Sequence, residues 1–142
     1  MKTLALTLGI ALGFTLSVVG QNYMGMSQSK IVKSMGEPDK VGANYYVYTA
    51  LDEYGENVYY FDENGNCISF ELKRDITHLE EYQKILKREF KEACLNKYVK
   101  KTRKMNYMAE LILSNDSFQI RVQDIVNSEA TCGHMLAGVQ IK

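Results

Sequence analysis

The sequence predicts an α+β fold, an antiparallel sheet with helices packed on one face. Three observations predict it. Two segments repeat apolar residues at three- and four-residue spacing, the mark of an amphipathic helix. Each is followed by runs that alternate apolar and polar residues, the mark of a half-buried strand. Tight-turn signals, chiefly Asn64-Gly65 and Asn115-Asp116, join those runs, so successive strands should pair antiparallel. The predicted order is helix, three strands, helix, two or three strands, and this order of elements recurs once along the chain.

A leader precedes these elements. Lys2 supplies one positive charge, and Leu4 to Val19 carry none. The run ends at Val18-Val19-Gly20, with small residues where a signal peptidase would cut after Gly20. This is the pattern of a secretory signal peptide. Three Gly, three Thr and one Ser among residues 1–20 dilute the apolar run. A spanning helix wants about twenty apolar residues, so no transmembrane span is expected after cleavage. The reading is therefore export, to the periplasm or outside the cell. Cutting after Gly20 leaves 122 of the 142 residues, read as one domain over 21–142 or as two small units, about 21–75 and 76–142.

The first helix opens near Ser27, a capping residue. Ile31, Val32 and Met35 form its apolar side, and Gly36 with Pro38 stops it. Tyr45 to Ala50, Val58 to Phe61 and Ile68 to Leu72 are the three strands. Centring a turn on Asn64-Gly65 pairs Phe61 with Ile68 and Tyr59 with Phe70 on one face. The other face then receives Tyr60 with Ser69 and Val58 with Glu71. The second helix is expected from about 78 to 94. Thr77 and Glu80 match a capping box, and Leu79, Tyr82, Leu86, Phe90 and Ala93 recur at helical spacing. A short strand is expected over Tyr98 to Lys101. Turning at Asn115-Asp116 pairs Leu113 with Phe118, Leu111 with Ile120 and Ala109 with Val122. It also sets Glu110 opposite Arg121. Ala137 to Ile141 reads as a further strand or a frayed end.

One segment carries a resemblance. Gly25-Met26-Ser27-Gln28-Ser29-Lys30-Ile31-Val32-Lys33-Ser34-Met35-Gly36-Glu37-Pro38-Asp39 resembles the opening of envelope domains of the BamE type, also called SmpA or OmlA. There a Gly-Met-Ser/Thr turn leads a short helix that closes with Gly-x-Pro. Tyr-rich strands and an Asn-Gly hairpin follow, as they do here from Tyr45 to Leu72. The β-lactamase-inhibitor proteins share this helix-then-sheet architecture in tandem. The resemblance covers the N-terminal half of the mature chain and implies a small envelope binding and assembly module. The lipid-bearing Cys expected after such a leader is replaced by Gln21, so no lipid anchor is expected.

No catalytic constellation emerges. GxSxG, HExxH and Gly-rich phosphate-loop motifs are absent. No cofactor or metal is expected, because Cys132-x-His134 offers at most two ligands where a closed zinc site needs four. Asp62-Glu63-Asn64-Gly65-Asn66 lacks the spacing of a calcium loop. Three cysteines in an oxidising compartment allow one intramolecular bridge. Cys67 and Cys94 are either that bridge or small core residues, with Cys132 the candidate free thiol.

Charge is segregated although its sum is zero. Residues 44–72 hold six acidic and no basic side chains. Residues 84–104 hold nine basic and two acidic. The candidate interaction surfaces follow from this and from the tyrosines. One is a patch of Tyr46, Tyr48 and Tyr60, since Tyr joins an apolar body to a polar tip. The other is Lys97, Lys100, Lys101, Arg103 and Lys104, suited to an anionic partner. The expected function is an exported, non-enzymatic binding module for an envelope protein or an anionic cell-surface component, with no nucleic-acid partner. Two further readings stand beside it, an inhibitor-like protein that blocks a hydrolase and a hydrolase using Cys132 and His134.

Overall fold

The computed structural model describes residues 23–50 and 55–125 of the chain. Helix α1 spans Gln28–Met35. Strands β1 (Lys40–Val41), β2 (Tyr45–Ala50), β3 (Gly55–Phe61) and β4 (Cys67–Asp75) follow. A short 3-10 turn, Ile76–His78, leads into helix α2 (Leu79–Glu89). Strands β5 (Lys91–Cys94), β6 (Lys97–Lys101), β7 (Asn106–Leu113) and β8 (Ser117–Asp124) complete the described chain. The eight strands form one antiparallel sheet in the order β1-β2-β3-β4-β8-β7-β6-β5.

This architecture corrects the predicted α+β fold with helices packed on one face. The protein is mostly sheet. Eight strands make it roughly 34 Å wide at the usual strand spacing. Two helices of 8 and 11 residues, each about 10 Å across, are too little to form a covering layer. Part of the difference lies at 91–94. The helix expected to reach 94 ends at Phe90, whose backbone is extended, and the next four residues become β5. Pairing with β6 supplies them with backbone hydrogen bonds that helical periodicity alone does not reveal.

The core occupies one face of the sheet. Register places Tyr46, Tyr59, Phe70, Val122, Ala109 and Tyr98 in one row across six strands. A second row brings Tyr48, Leu72, Ile120 and Leu111 onto the same face. Ile31 of α1 and Tyr82, Ile85 and Leu86 of α2 join this cluster. The expected β7–β8 register forms in full, including Glu110 opposite Arg121. In the β3–β4 hairpin, Tyr59, Tyr60 and Val58 find their expected partners. Phe61 does not: an irregularity after Tyr60 pairs it with Cys67, and Ile68 faces outward, exposed.

Two termini differ in detail from expectation. Ser27 stands at the start of α1 without a side-chain capping bond. Ahead of α2, Asp75 takes the role expected of Thr77. Its carboxylate accepts the Thr77 backbone N–H at 2.9 Å and the Thr77 hydroxyl at 2.7 Å. Gly36 ends α1 at φ +88°, a conformation that side chains with a Cβ rarely adopt.

The leader, Asp52, Glu53, Cys132, His134 and the segment 137–141 lie outside the described residues.

Candidate functional site

The polar face of the sheet carries a charge ladder. Val47, Val58, Glu71, Arg121, Glu110 and Lys97 form one row across six strands. Glu71 accepts hydrogen bonds from three side chains: Arg121 Nε at 2.6 Å, the Gln119 amide at 2.7 Å and the Tyr60 hydroxyl at 3.2 Å. Alternating charges on neighbouring strands stabilise this face locally. Hydrogen bonding to Glu71 holds the Arg121 guanidinium more firmly protonated than usual.

The tyrosine patch does not form. Tyr48 is buried, and its hydroxyl donates to the Gly36 carbonyl at 3.0 Å. Burial, with Tyr46 and Glu37 nearby, raises its pKa. Tyr46 packs edge-on against Phe61 at 4.8 Å between ring centres, partly buried beside the core. Tyr60 stands on the opposite face, spent on Glu71, and burial together with that carboxylate raises its pKa. Strand pairing separates Tyr60 from Tyr46 and Tyr48, which share the core face. Residue type alone grouped 46, 48 and 60, but antiparallel pairing aligns Tyr60 with Tyr45.

Of the two readings of Cys67 and Cys94, the bridge between them does not form. Cys67 is a buried free thiol, and Cys94 is bonded to a partner outside the described residues. Cys67 lies in the core row of β4, whereas Cys94 is near the edge strand's end.

The basic residues divide into two groups. Lys97 belongs to the ladder, half-buried and 3.9 Å from Glu110. The others gather at one corner of the sheet, at the turn joining β6 to β7. Lys101, Arg103 and Lys104 are exposed there. Thr102 holds the turn. Its hydroxyl donates to the Met105 carbonyl at 2.6 Å and accepts from the Met105 and Lys104 backbone N–H groups at 3.1 and 3.4 Å. The Thr102 N–H also reaches the Met105 carbonyl at 3.2 Å. Such a side-chain-to-backbone network fixes a turn that Thr at this position favours. Lys100 Nζ lies 5.7 Å from the centre of the Phe90 ring, which ties the turn to the end of α2.

Lys87 and Arg88 occupy the last turn of α2, where cations complement the helix dipole. Lys91 of β5 pairs with Val99, one strand residue pair away from Lys101 on the same face. Arg88 is 3.1 Å from Glu89. Lys87, Lys91, Lys101, Arg103 and Lys104 have no ion pair among the described residues. Lys91 was visible in the charge count of residues 84–104, but only the pairing of β5 with β6 sets it beside Lys101.

The acidic half behaves differently. Asp62 accepts the N–H groups of Asn64 and Asn66, both at 2.9 Å, and so organises the β3–β4 turn. Glu56 lies 3.7 Å from Lys40. A groove of about 570 Å³ runs beside this turn, lined by Gln28, Asn44, Phe61, Asp62 and Glu63. Among the described residues no group of three or more His, Cys, Asp or Glu side chains is placed to hold a metal ion. No helix of the described residues is long and apolar enough to cross a membrane.

No protein-family model, no curated protein and no solved structure matches the chain.

Proposed function

We propose that this chain is an exported, non-enzymatic binding module that contacts an envelope protein or an anionic cell-surface component. The observation that carries the reading is the basic corner. Three exposed cations stand on a turn fixed by the hydrogen bonds of Thr102, and none of them serves an ion pair within the described residues. A fixed turn presents charge without first losing conformational entropy on contact, which favours binding. The charge-free run from Leu4 to Val19 supports export. The BamE-like segment from Gly25 to Asp39 supports an envelope role.

The test is a photo-crosslinker at Lys101 in the protein expressed in its native envelope. The expected result is reproducible capture of a partner, diminished when Arg103 and Lys104 are both changed to Gln. Capture of nothing reproducible, or capture indifferent to those two charges, would overturn the reading.

A further inference from the structure

We infer that the basic corner recognises an extended acidic segment of a partner polypeptide. This rests on the binding-module reading and names the chemistry of its partner.

Three features of the corner lead to a carboxylate-bearing chain. First, cations outnumber acids there and come from β5, β6 and the turn after β6. Lys101 ends β6, Arg103 and Lys104 stand in the β6–β7 turn, and Lys91 comes from β5. Second, the spacing suits an extended chain. Lys91 pairs with Val99, so Lys91 and Lys101 are diagonal neighbours on one sheet face, about 7–8 Å apart at the backbone. Alternate side chains of an extended polypeptide repeat at about 6.6–6.8 Å. Acidic residues at every second position would therefore meet successive cations. Third, the corner lacks what other polyanions use. Of its aromatic rings, Phe90 and Tyr98 are buried and Tyr107, paired with Lys100, packs partly buried against the core, so none is among the exposed rings on which a base could stack. The exposed large apolar residues of the described chain are Val41, Tyr45, Ile68, Leu95 and Leu113. None lies in the β6–β7 turn, so the turn has no apolar anchor for a bilayer.

Thr102 makes the prediction sharper than one about net charge. Its bonds to Met105 and Lys104 set the directions in which Arg103 and Lys104 leave the turn. Loss of that hydroxyl should weaken binding while every charge remains.

The experiment uses the purified exported chain and a fluorescein-labelled deca-glutamate peptide, followed by anisotropy at low and at physiological salt. Binding at low salt is expected to weaken as salt rises, since exposed charges are screened. R103Q with K104Q should lower affinity by about fivefold to tenfold. Thr102→Val should lower it by about twofold to fivefold through the loosened turn. K30Q with K33Q, which removes two charges from α1, should change it by less than about twofold. Far-UV circular dichroism confirms that each variant keeps its sheet. The inference is overturned by absence of binding at low salt. It is also overturned by equal losses in the α1 and turn variants, which would mean nonspecific attraction. Tighter binding to phosphatidylglycerol vesicles or to a single-stranded oligonucleotide overturns it as well, because the partner class is then different. If the peptide fails while the Lys101 crosslink captures a partner, this inference falls and the binding-module reading stands. If the crosslink captures nothing, the reading itself falls.

Discussion

Cys67 shows how one residue's role depends on what surrounds it. Read from the cysteine count and an oxidising compartment, it was either half of a disulfide or a small core residue. In the fold it is 1% exposed, and its Sγ donates weakly to the Ser69 carbonyl at 3.5 Å. Burial pushes the thiol up from 9.0 to about 11. The thiol in the native state therefore stays protonated in a range where the unfolded chain has lost that proton. Stability from this group is present below about pH 9 and lost as pH rises toward 11, by up to about 2–3 kcal/mol. Urea unfolding of the parent chain and of Cys67→Ala at pH 8 to 11 measures it. The stability difference between the two should shift by that amount, and parallel pH profiles would contradict the assignment. Arg74 is a second case. It is 5% exposed, yet its guanidinium donates to the Tyr82 hydroxyl at 3.1 Å, the Glu56 carbonyl at 3.2 Å and the Asn57 side chain at 2.8 Å. Those bonds tie β3 and α2 to Arg74 on β4, which explains how a charge is tolerated there. Nothing in the sequence alone marks it out from the exposed cations.

At the scale of elements, legibility followed local information. Helix α1 and the β7–β8 hairpin were readable because periodicity, stop signals and turn residues lie within a few positions of one another. β5 was not readable. Lys91 to Cys94 continues a plausible helical stripe, and only its pairing with β6 decides for a strand. The shift at Phe61 was equally hidden, because a bulge depends on how the neighbouring strand must bend. β3 also carries a constraint on its first residue. A Cβ on Gly55 would run into the Lys73 carbonyl of β4. Gly55→Ala should therefore push the two strands apart at a cost of about 2–4 kcal/mol, within the range of severe backbone-packing changes. A thermal melt should show a drop of roughly 8 °C or more. An unchanged melting temperature would mean that this end of β3 yields without cost.

At the scale of the whole molecule, β8 is the seam. It lies between β4 and β7, so strands from both halves of the chain meet on it. Ile120 sits at its centre, fully buried and paired with Leu72 on one side and Leu111 on the other. Ile120→Ala should cost about 2–5 kcal/mol and lower the whole unfolding transition at once. Circular dichroism and tyrosine fluorescence should move together. Two separated transitions would show that the halves fold independently despite the shared sheet. The same seam accounts for the charge pattern. Placing β4 next to β8 sets the acidic strands toward one edge and the basic strands toward the other.

The sequence by itself determined the local alternation of the strands, the two turns at Asn64-Gly65 and Asn115-Asp116, the position of α1 and the segregation of charge. Each follows from residues close together in the chain, where side-chain period and turn chemistry act directly. Only the tertiary structure decided that eight strands share one sheet, that Tyr48 is core while Tyr60 faces away, that Cys67 stays a free thiol, and that Lys91 stands beside Lys101. Those outcomes depend on pairing between strands distant in sequence, and a shift of one residue in such pairing moves a side chain to the opposite face.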